Sequence, residues 1–320
     1  MKQAVDKAKI VAIMGPTAVG KTKLSIELAK RFNGEIISGD SMQIYQGMDI
    51  GTAKVSQVEM EGIPHYLIDI KHPKEDFSAR EFQQLVRDRI SEITGRKKLP
   101  IIVGGTGLYI QSAIFDYHFS EAPTDLAFRL ALEKRAEAEG NQVLYQELVK
   151  IDSVSAAKIH PNNVRRVIRA LEVYHASGKT MTDTQHNQSP DLVYDTVLIG
   201  LTMDRDSLYE RINRRVDLMM EQGLVEEVKT LYENGIRDCQ SVQAIGYKEI
   251  YAYLEGRITL EEAVEQLKQN SRRYAKRQLT WFRNKMDVSW FDMTNGSDFE
   301  KNVTEISSLV EGKLQLKSNT

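Results

Sequence analysis

The sequence predicts an α/β fold, in which helices cover both faces of a parallel β-sheet, joined to an all-helical insertion domain. Four short apolar runs alternate with segments long enough to form crossover helices, which is typical of parallel sheets. The runs lie at residues 10–14, 35–38, 65–70 and 99–103. Residues 119–195 are instead polar and helix-forming, and a β pattern returns at 196–202, where we expect a strand that rejoins the first sheet.

The first predicted strand leads through a glycine-containing loop into a helix. Residues 10–14, IVAIM, are uniformly apolar, as expected for a strand that is buried on both faces. Leu24, Leu28 and Phe32 follow at a spacing of four, which places them on one face of a helix. The segment is therefore predicted to be a strand, a loop and a helix in succession.

Domain boundaries follow from where these patterns change. Residues 1–118 and 196–290 form the predicted core, and its last part, 206–286, is helical with breaks at glycines. The glycines are Gly223, Gly235, Gly246 and Gly256. The helical insertion domain spans 119–195, and residues 291–320 form a polar tail that we expect to be peripheral.

Composition excludes several classes of protein. Hydrophobic residues make up 41% and charged residues 28%, which is typical of a globular chain. With 43 Lys plus Arg against 45 Asp plus Glu the net charge is −2, so the chain is not a uniformly basic nucleic-acid binder. The single cysteine, Cys239, excludes an intrachain disulfide and a multi-cysteine zinc site, and favours a cytoplasmic location. No segment fits a signal peptide or membrane span, so we expect no membrane association.

A phosphate-binding loop is the clearest motif in the chain. Residues 15–22, GPTAVGKT, match G-x-x-x-x-G-K-[ST] between a predicted strand and a predicted helix, as in the P-loop NTPase-like fold. Backbone N–H groups of such a loop, the helix N-terminus and the lysine bind two linked phosphates, and the threonine can hold Mg²⁺. We assign diphosphate binding to Gly15, Pro16, Thr17, Ala18, Val19, Gly20, Lys21 and Thr22, with Thr22 as the magnesium ligand.

Evidence for nucleotide hydrolysis is weaker than evidence for phosphate binding. A kinase or NTPase adds a strand that ends in an acidic residue associated with Mg²⁺. Asp69 is the best candidate, whereas residues 101–106, IIVGGT, end in glycines and a threonine where an acid would be expected.

A second group of polar residues follows the second strand. Asp40 lies in the loop formed by residues 38–54, at the carboxyl edge of the predicted sheet, where ligands of such folds bind. A ligand contact and a helix cap are the two interpretations of a carboxylate at this position.

Several motifs occur in a defined order along residues 10–283. They are the phosphate loop at 15–22, Asp40-Ser41 with GMDIGTAK at 47–54, GGTGLY at 104–109, HPN at 160–162 with RALEV at 169–173, QAIGY at 243–247 and KRQLTWFR at 276–283. Together they closely resemble those of the tRNA dimethylallyltransferases, also called tRNA isopentenyltransferases, of the IPP transferase family. The chain lacks the cysteines of the zinc finger found in eukaryotic members, so it is similar to the bacterial form.

The resemblance implies transfer of a dimethylallyl group from dimethylallyl diphosphate to N6 of adenosine 37 in the tRNA anticodon loop, with Mg²⁺ as cofactor. In that reaction Asp40 is the candidate base and the hydroxyl of Thr106 orients the reacting groups. Arg215 is implied to close over the diphosphate, with Arg211 and Arg214 as competing cations. An ordinary solvated helix face is the alternative for these arginines.

Basic residues predict an RNA surface. Residues 268–285 contain seven Lys or Arg, no acid, and interleaved aromatics, of which Trp281 and Phe282 are interpreted as core. A base that is modified must leave its stack, and we expect it to enter beside Asp40, with core and insertion gripping the anticodon stem-loop. The predicted tRNA-binding residues are Asp40, Ser41, Met42, Gln43, Thr106, Arg129, Arg166, Arg169, Gln243, Lys276, Arg277 and Arg283.

Three other functions stay open at the level of sequence. A small-molecule kinase or an adenylate isopentenyltransferase would share the phosphate loop, but neither needs the basic insertion. A nucleotide-switched RNA-binding protein without transfer chemistry is the third. We expect a monomer whose partners are tRNA and dimethylallyl diphosphate.

Overall fold

A computed structural model describes residues 7–120, 125–185 and 191–319. It divides the chain into two compact units, Met1–Ile114 with Leu192–Thr320, and Phe115–Asp191. The second unit overlaps the expected insertion at 119–195, of which residues 121–124 and 186–190 lie outside the described part of the chain.

The first unit is built on a six-stranded sheet. In chain order its strands are β1 Lys9–Met14, β2 Gly34–Ser38, β3 His65–Tyr66, β4 Leu99–Gly104, β5 Asp195–Thr202 and β6 Ser289–Asp292. They pair in the order β3-β2-β4-β1-β5-β6, and every pairing is parallel. The predicted α/β fold class with a parallel sheet is confirmed, and β5 rejoins the sheet beside β1 as expected.

Helices connect the successive strands of the sheet. They are α1 Lys21–Arg31, α2 Gln57–Met60, α3 Ala79–Gly95, α4 Gly107–Ile114, α5 Leu126–Glu139, α6 Asn141–Ile151, α7 Ser153–Ala156, α8 Val164–Ser177, α9 Met181–Gln185, α10 Arg205–Glu221, α11 Leu224–Glu233, α12 Tyr247–Leu254, α13 Leu260–Lys285 and α14 Phe299–Leu314. The long helix α13 begins at a capping box, in which Thr259 accepts from the backbone of Glu262 and the Glu262 carboxylate accepts from the backbone of Thr259.

Two parts of the sheet differ from the sequence prediction. The strand expected at 65–70 ends at Tyr66, because Leu67 and Asp69 adopt left-handed backbone conformations with φ of 60° and 56°. The edge strand β6 was not predicted, since its four residues, SWFD, give too short a pattern to distinguish from a loop.

The expectation of a peripheral tail at 291–320 is corrected by the packing of α14. Val303, Ile306, Val310 and Leu314 are fully buried in a core cluster that also contains Leu24 of α1 and strand residues of the sheet. Their spacing places them on one face of α14, and burying each such side chain contributes about 1.5–3 kcal/mol. The polar average of the segment concealed this apolar face.

The second unit is helical throughout its described elements, α5 to α9, and has its own core. Leu132, Leu144, Leu148 and Val167 come from three of these helices and are almost completely buried. In the described part of the chain, no helix is both long enough and apolar enough to cross a membrane.

A buried carboxylate anchors β2 to its surroundings. Glu35 is 2% exposed, accepts from the Tyr66 hydroxyl at 2.8 Å, and pairs with Arg96 at 2.5 Å and Lys98 at 2.9 Å. Burial opposes ionisation, but the hydrogen bonds from Lys98, Arg96 and Tyr66 outweigh it and lower the pKa of Glu35 to about 2. Glu35 is therefore ionised wherever the protein is folded at ordinary pH.

Glu35→Gln is expected to lower the free energy of unfolding at pH 7 by about 1–3 kcal/mol, because two cations lose their buried partner. A depressed carboxyl pKa stabilises the fold above the unfolded value, and this contribution is lost as pH falls from about 4.5 towards 2. Urea titrations across this window should show a flatter decline for the variant. Glu92→Gln, which removes an exposed ion pair with Arg89, is the matched control; equal slopes in wild type and Glu35→Gln would contradict the assignment.

Candidate active site

A cavity of about 570 Å³ opens in the first unit at the carboxyl ends of β1, β2 and β4. It brings together residues that are far apart in the sequence. Of the predicted site residues, those lining it are Thr17, Ala18, Gly20, Lys21, Thr22, Asp40, Ser41, Met42, Gln43, Arg215, Gln243 and Arg277.

The phosphate loop forms one wall of the cavity. It leaves β1 at Gly15, where a Cβ would lie 2.6 Å from the carbonyl oxygen of Leu201, so a larger residue has no room. Ala18 and Gly20 adopt left-handed conformations with φ of 66° and 103°, which turns the chain into α1. Because Gly20 has no side chain to cap the helix, the first N–H groups of α1 remain available to an anion.

Two partly buried cations, Lys21 and Arg215, lie near one carboxylate, Asp40, in the cavity. Burial lowers the pKa of Lys21 to about 8, the positive charge of Arg215 acts in the same direction, and Asp40 opposes both. Burial likewise lowers the pKa of Arg215, again opposed mainly by Asp40. The cavity therefore carries an excess of positive charge that a polyanion would neutralise.

The two cations are held by backbone carbonyls. The amine of Lys21 donates to the oxygens of Gly15 and Pro16 at 3.0 and 2.7 Å. Arg215 of α10 donates to the oxygen of Ala53 at 3.5 Å.

Arg215 is the arginine of its helix that reaches the cavity. Arg211 and Arg214, the competing cations, are exposed and lie outside the cavity lining.

Asp40 lies in a turn rather than at the start of a helix. Its Oδ1 atom accepts from the backbone N–H of Met42 at 2.8 Å, and the carboxyl group is only half-buried. Thr106 lies beside this turn and accepts from the backbone N–H of Ser41 at 3.2 Å. Gln43 accepts from the hydroxyl of Ser38 at 2.9 Å, which fixes the far end of the turn.

Gln278 and Tyr274 of α13, which the sequence analysis did not assign to the site, also line the cavity. Gln278 accepts from the backbone N–H of Thr17 at 3.0 Å and donates to the oxygen of Gly105 at 3.0 Å. Its amide lies so close to Gly105 that a Cβ there would come within 2.0 Å of Nε2. Gln278 therefore joins the phosphate loop to the loop after β4.

Tyr274 lies one helical turn before Gln278. Burial, and then the charge of Asp40, raise the pKa of Tyr274 to about 12, so its hydroxyl keeps its proton. The spacing of four between Tyr274 and Gln278 is the sequence signal that could have found them, because it places them on one face of the helix.

Asp69, the candidate magnesium-associated acid, forms an ion pair outside the cavity. Its carboxylate accepts from the amine of Lys54 at 2.6 Å, and it lies outside the cavity lining. Lys54 also binds Asp49 at 2.5 Å and the oxygen of Tyr45 at 2.8 Å. Among the described residues no group of three or more His, Cys, Asp or Glu could hold a metal ion. These contacts weaken the kinase hypothesis.

The predicted tRNA-binding residues of α13 are exposed, and Arg277 lines the cavity. Lys276 and Arg277 are exposed, and the guanidinium of Arg277 lies 5.7 Å from the centre of the Tyr274 ring. Arg283 is exposed too, and packs over Trp290 at 5.5 Å from the ring centre.

The two aromatic residues between them pack inward. Phe282 is fully buried, and Trp281 packs against Gly107, where a Cβ would lie 2.2 Å from the indole.

Two of the three predicted RNA-binding arginines of the insertion already have a partner. Arg129 and Arg169 bind the fully buried carboxylate of Glu172, at 2.8 and 3.0 Å for Arg129 and at 2.5 Å for Arg169. Burial opposes ionisation of Glu172, but the hydrogen bonds from both arginines outweigh it and lower the pKa of Glu172. Arg166 is exposed on the same helix as Arg169.

A comparison with known protein families places this site in context. The family model described as IPP transferase matches residues 43–285. The chain belongs to the IPP transferase family. The tRNA dimethylallyltransferase of Anoxybacillus flavithermus is 64% identical over 311 residues, covering 97% of this chain and 99% of that protein. The tRNA dimethylallyltransferase of Bacillus cytotoxicus is 65% identical over 314 residues, covering 98% of each. The resemblance found in the motifs is thereby confirmed.

This chain is also similar to solved structures of the family. The tRNA isopentenylpyrophosphate transferase of Bacillus halodurans is 58% identical, with a TM-score of 0.74 and 97% of each chain covered. A eukaryotic dimethylallyltransferase acting on tRNA is 34% identical, with a TM-score of 0.83, covering 98% of this chain and 81% of that one.

Arg215→Gln is expected to weaken binding of inorganic diphosphate about tenfold or more, because a charge-assisted contact in a buried site is lost. Arg214→Gln is the matched control, since it removes the same charge from the exposed face of the same helix. Calorimetric titration with Mg²⁺ and diphosphate gives both affinities. If the two variants bind diphosphate equally well, Arg215 does not contact the anion.

Proposed function

We propose that this protein transfers the dimethylallyl group of dimethylallyl diphosphate to N6 of adenosine 37 in the tRNA anticodon loop and releases diphosphate. The observation that carries the proposal is the meeting of Lys21, Arg215 and Asp40 in one cavity of a chain that belongs to the IPP transferase family. Two cations beside a half-buried carboxylate suit a reaction that expels an anion and removes a proton.

The cations of the cavity stabilise the leaving group. As the bond between C1 of the dimethylallyl group and the bridging oxygen breaks, negative charge develops on diphosphate. Lys21, Arg215 and the N–H groups at the start of α1 stabilise that charge more strongly in the transition state than in the ground state. Removing one such donor commonly lowers the rate about 10²- to 10³-fold.

Asp40 supplies the base. The lone pair of the adenine amine is delocalised into the ring, so its attack on C1 leaves a positive charge unless a proton departs. The N6–C1 bond forms, the C1–O bond breaks, and the N6 proton moves to the carboxylate of Asp40. Thr106 and the protonated hydroxyl of Tyr274 lie beside this carboxylate and orient the acceptor.

Magnesium fits this site through one protein ligand. Thr22 is exposed and lines the cavity next to Lys21, whereas the described residues offer no cluster of acids for a metal. The ion would therefore be held by the Thr22 hydroxyl, diphosphate oxygens and water, as in other phosphate loops. When bound, Mg²⁺ supplies further positive charge to the leaving diphosphate.

Transfer RNA is bound by exposed basic residues. Lys276, Arg277 and Arg283 of α13 and Arg166 of the second unit are available to phosphate oxygens. The cavity beside Ser41, Met42, Gln43 and Gln243 receives the adenine once it leaves its stack. We place this activity in the cytoplasm and expect a monomer.

The decisive experiment offers labelled dimethylallyl diphosphate and Mg²⁺ to unmodified tRNA, to AMP, and in a third reaction replaces the donor by γ-labelled ATP. Label on tRNA that disappears when adenosine 37 is replaced supports the proposal. Label on AMP would instead identify an adenylate isopentenyltransferase. Phosphate release from ATP without prenyl transfer would identify a kinase or a nucleotide switch.

Asp40→Asn is expected to lower the rate of transfer by about 10²-fold or more, since an amide cannot accept the N6 proton. The Asn Oδ1 atom still accepts from Met42, so the turn is retained and tRNA affinity should stay within a few fold. Single-turnover transfer and filter binding measure the two quantities. Asp69→Asn is the control, because that carboxylate lies outside the cavity; turnover retained in Asp40→Asn removes Asp40 from the base role.

Arg166→Gln is expected to change tRNA binding, whereas Arg129→Gln is expected to change stability. Losing exposed Arg166 should weaken tRNA binding and reduce the slope of log affinity against log salt by about 1. Losing Arg129 leaves a buried carboxylate short of a partner, so it should lower the free energy of unfolding by about 1–3 kcal/mol. Binding across a salt series and thermal denaturation distinguish them, and unchanged tRNA binding by Arg166→Gln at every salt concentration counts against the contact.

A further inference from the structure

Two sequence motifs, of which the proposed reaction uses only Gln243, meet in the structure. GMDIGTAK at 47–54 and QAIGY at 243–247 come together where the ring of Tyr247 packs against Gly51. A Cβ at Gly51 would lie 2.5 Å from a carbon of that ring, so only glycine fits. Tyr247 itself is fully buried.

A single carboxylate accepts hydrogen bonds from several donors at this contact. Glu227 of α11 accepts from the backbone N–H groups of Asp49, Ile50 and Gly51 at 2.9, 2.8 and 3.1 Å. It also accepts from the Tyr247 hydroxyl at 2.6 Å. Three successive N–H groups that converge in this way form an anion-binding nest, and here the anion is a side chain of the same protein.

The chemistry of this contact requires an ionised carboxylate. Burial, and then the charge of Glu227, raise the pKa of Tyr247, so the phenol keeps its proton and donates. All four groups are therefore donors, and both carboxylate oxygens are used. An amide in place of the carboxylate would offer one acceptor oxygen and turn its own N–H groups towards donors.

The segment held by Glu227 in turn holds active-site residues. Just after Gly51, the oxygens of Thr52 and Ala53 each accept from the Gln43 amide at 3.3 Å. The oxygen of Ala53 also accepts from Arg215. Glu227 and Tyr247 lie outside the cavity lining, and the backbone of residues 49–53 connects them to Gln43 and Arg215.

We propose that Glu227, assisted by Tyr247, is a positioning residue that fixes the backbone of residues 49–53 and thereby holds Gln43 and Arg215 in place for the transfer reaction. The inference rests on the proposed function for its effect on turnover. Its effect on anion binding is independent of that function, because Arg215 and the phosphate loop share one cavity whatever the donor.

The test compares Glu227→Gln and Tyr247→Phe with Glu226→Gln, a neighbour on the exposed face of the same helix. Calorimetry with Mg²⁺ and inorganic diphosphate should show about 5- to 20-fold weaker binding for Glu227→Gln, a smaller loss for Tyr247→Phe, and no change for the control. Transfer to tRNA should show kcat reduced about 10- to 100-fold in Glu227→Gln, with KM for tRNA within about threefold. Hydrogen exchange should accelerate in a peptide that covers residues 49–53.

The outcomes separate this inference from the proposed function. If wild type binds diphosphate but transfers nothing to tRNA, the proposed function fails, while weaker diphosphate binding by Glu227→Gln still supports the positioning role. If Glu227→Gln binds diphosphate and turns over like wild type, the positioning role is overturned. A loss of folded protein without any change in affinity or kcat of the remaining fraction overturns it as well, because it would mean a purely structural contact.

Discussion

An unbalanced positive charge at the carboxyl edge of the sheet is the constraint on which the rest of this structure depends. Lys21 and Arg215 are both partly buried in one cavity, and Asp40 is the carboxylate that offsets them. Two desolvated cations repel each other, so they stay in place only because backbone carbonyls and the surrounding packing hold them there. This arrangement favours binding of an anion with several charges. A transferase that releases diphosphate needs this property.

In the proposed reaction the long helix α13 connects this charge to RNA. Tyr274 and Gln278 line the cavity, Gln278 bonds to the loops around it, and Lys276, Arg277 and Arg283 are exposed. One rigid element therefore contacts the phosphate loop on one side and presents cations to solvent on the other. Under the proposed function, one helix therefore positions both the acceptor and the leaving group.

Patterns that are local in the chain could be predicted, whereas patterns that depend on a distant partner could not. The strand, loop and helix around residues 10–32 follow from hydrophobic spacing and from glycines, so the sheet and the phosphate loop were identified from sequence. The apolar face of α14 was concealed by its polar average, and β6 was too short to recognise. Arg129 and Arg169 were predicted from sequence to bind tRNA, and their shared contact with Glu172 was visible only in the fold.

By itself the sequence determined the α/β fold class, because strand and helix patterns alternate along it, and the phosphate loop, because its residues lie within a few positions of one another. It also determined the family, because several motifs occur in a characteristic order. Only the tertiary structure decided which arginine of α10 enters the cavity, that Gln278 binds a loop 261 residues away, and that Glu227 binds a segment 178 residues away. Spacing along the chain specifies neighbours within a helix or strand, but contacts between elements are settled by how their faces pack.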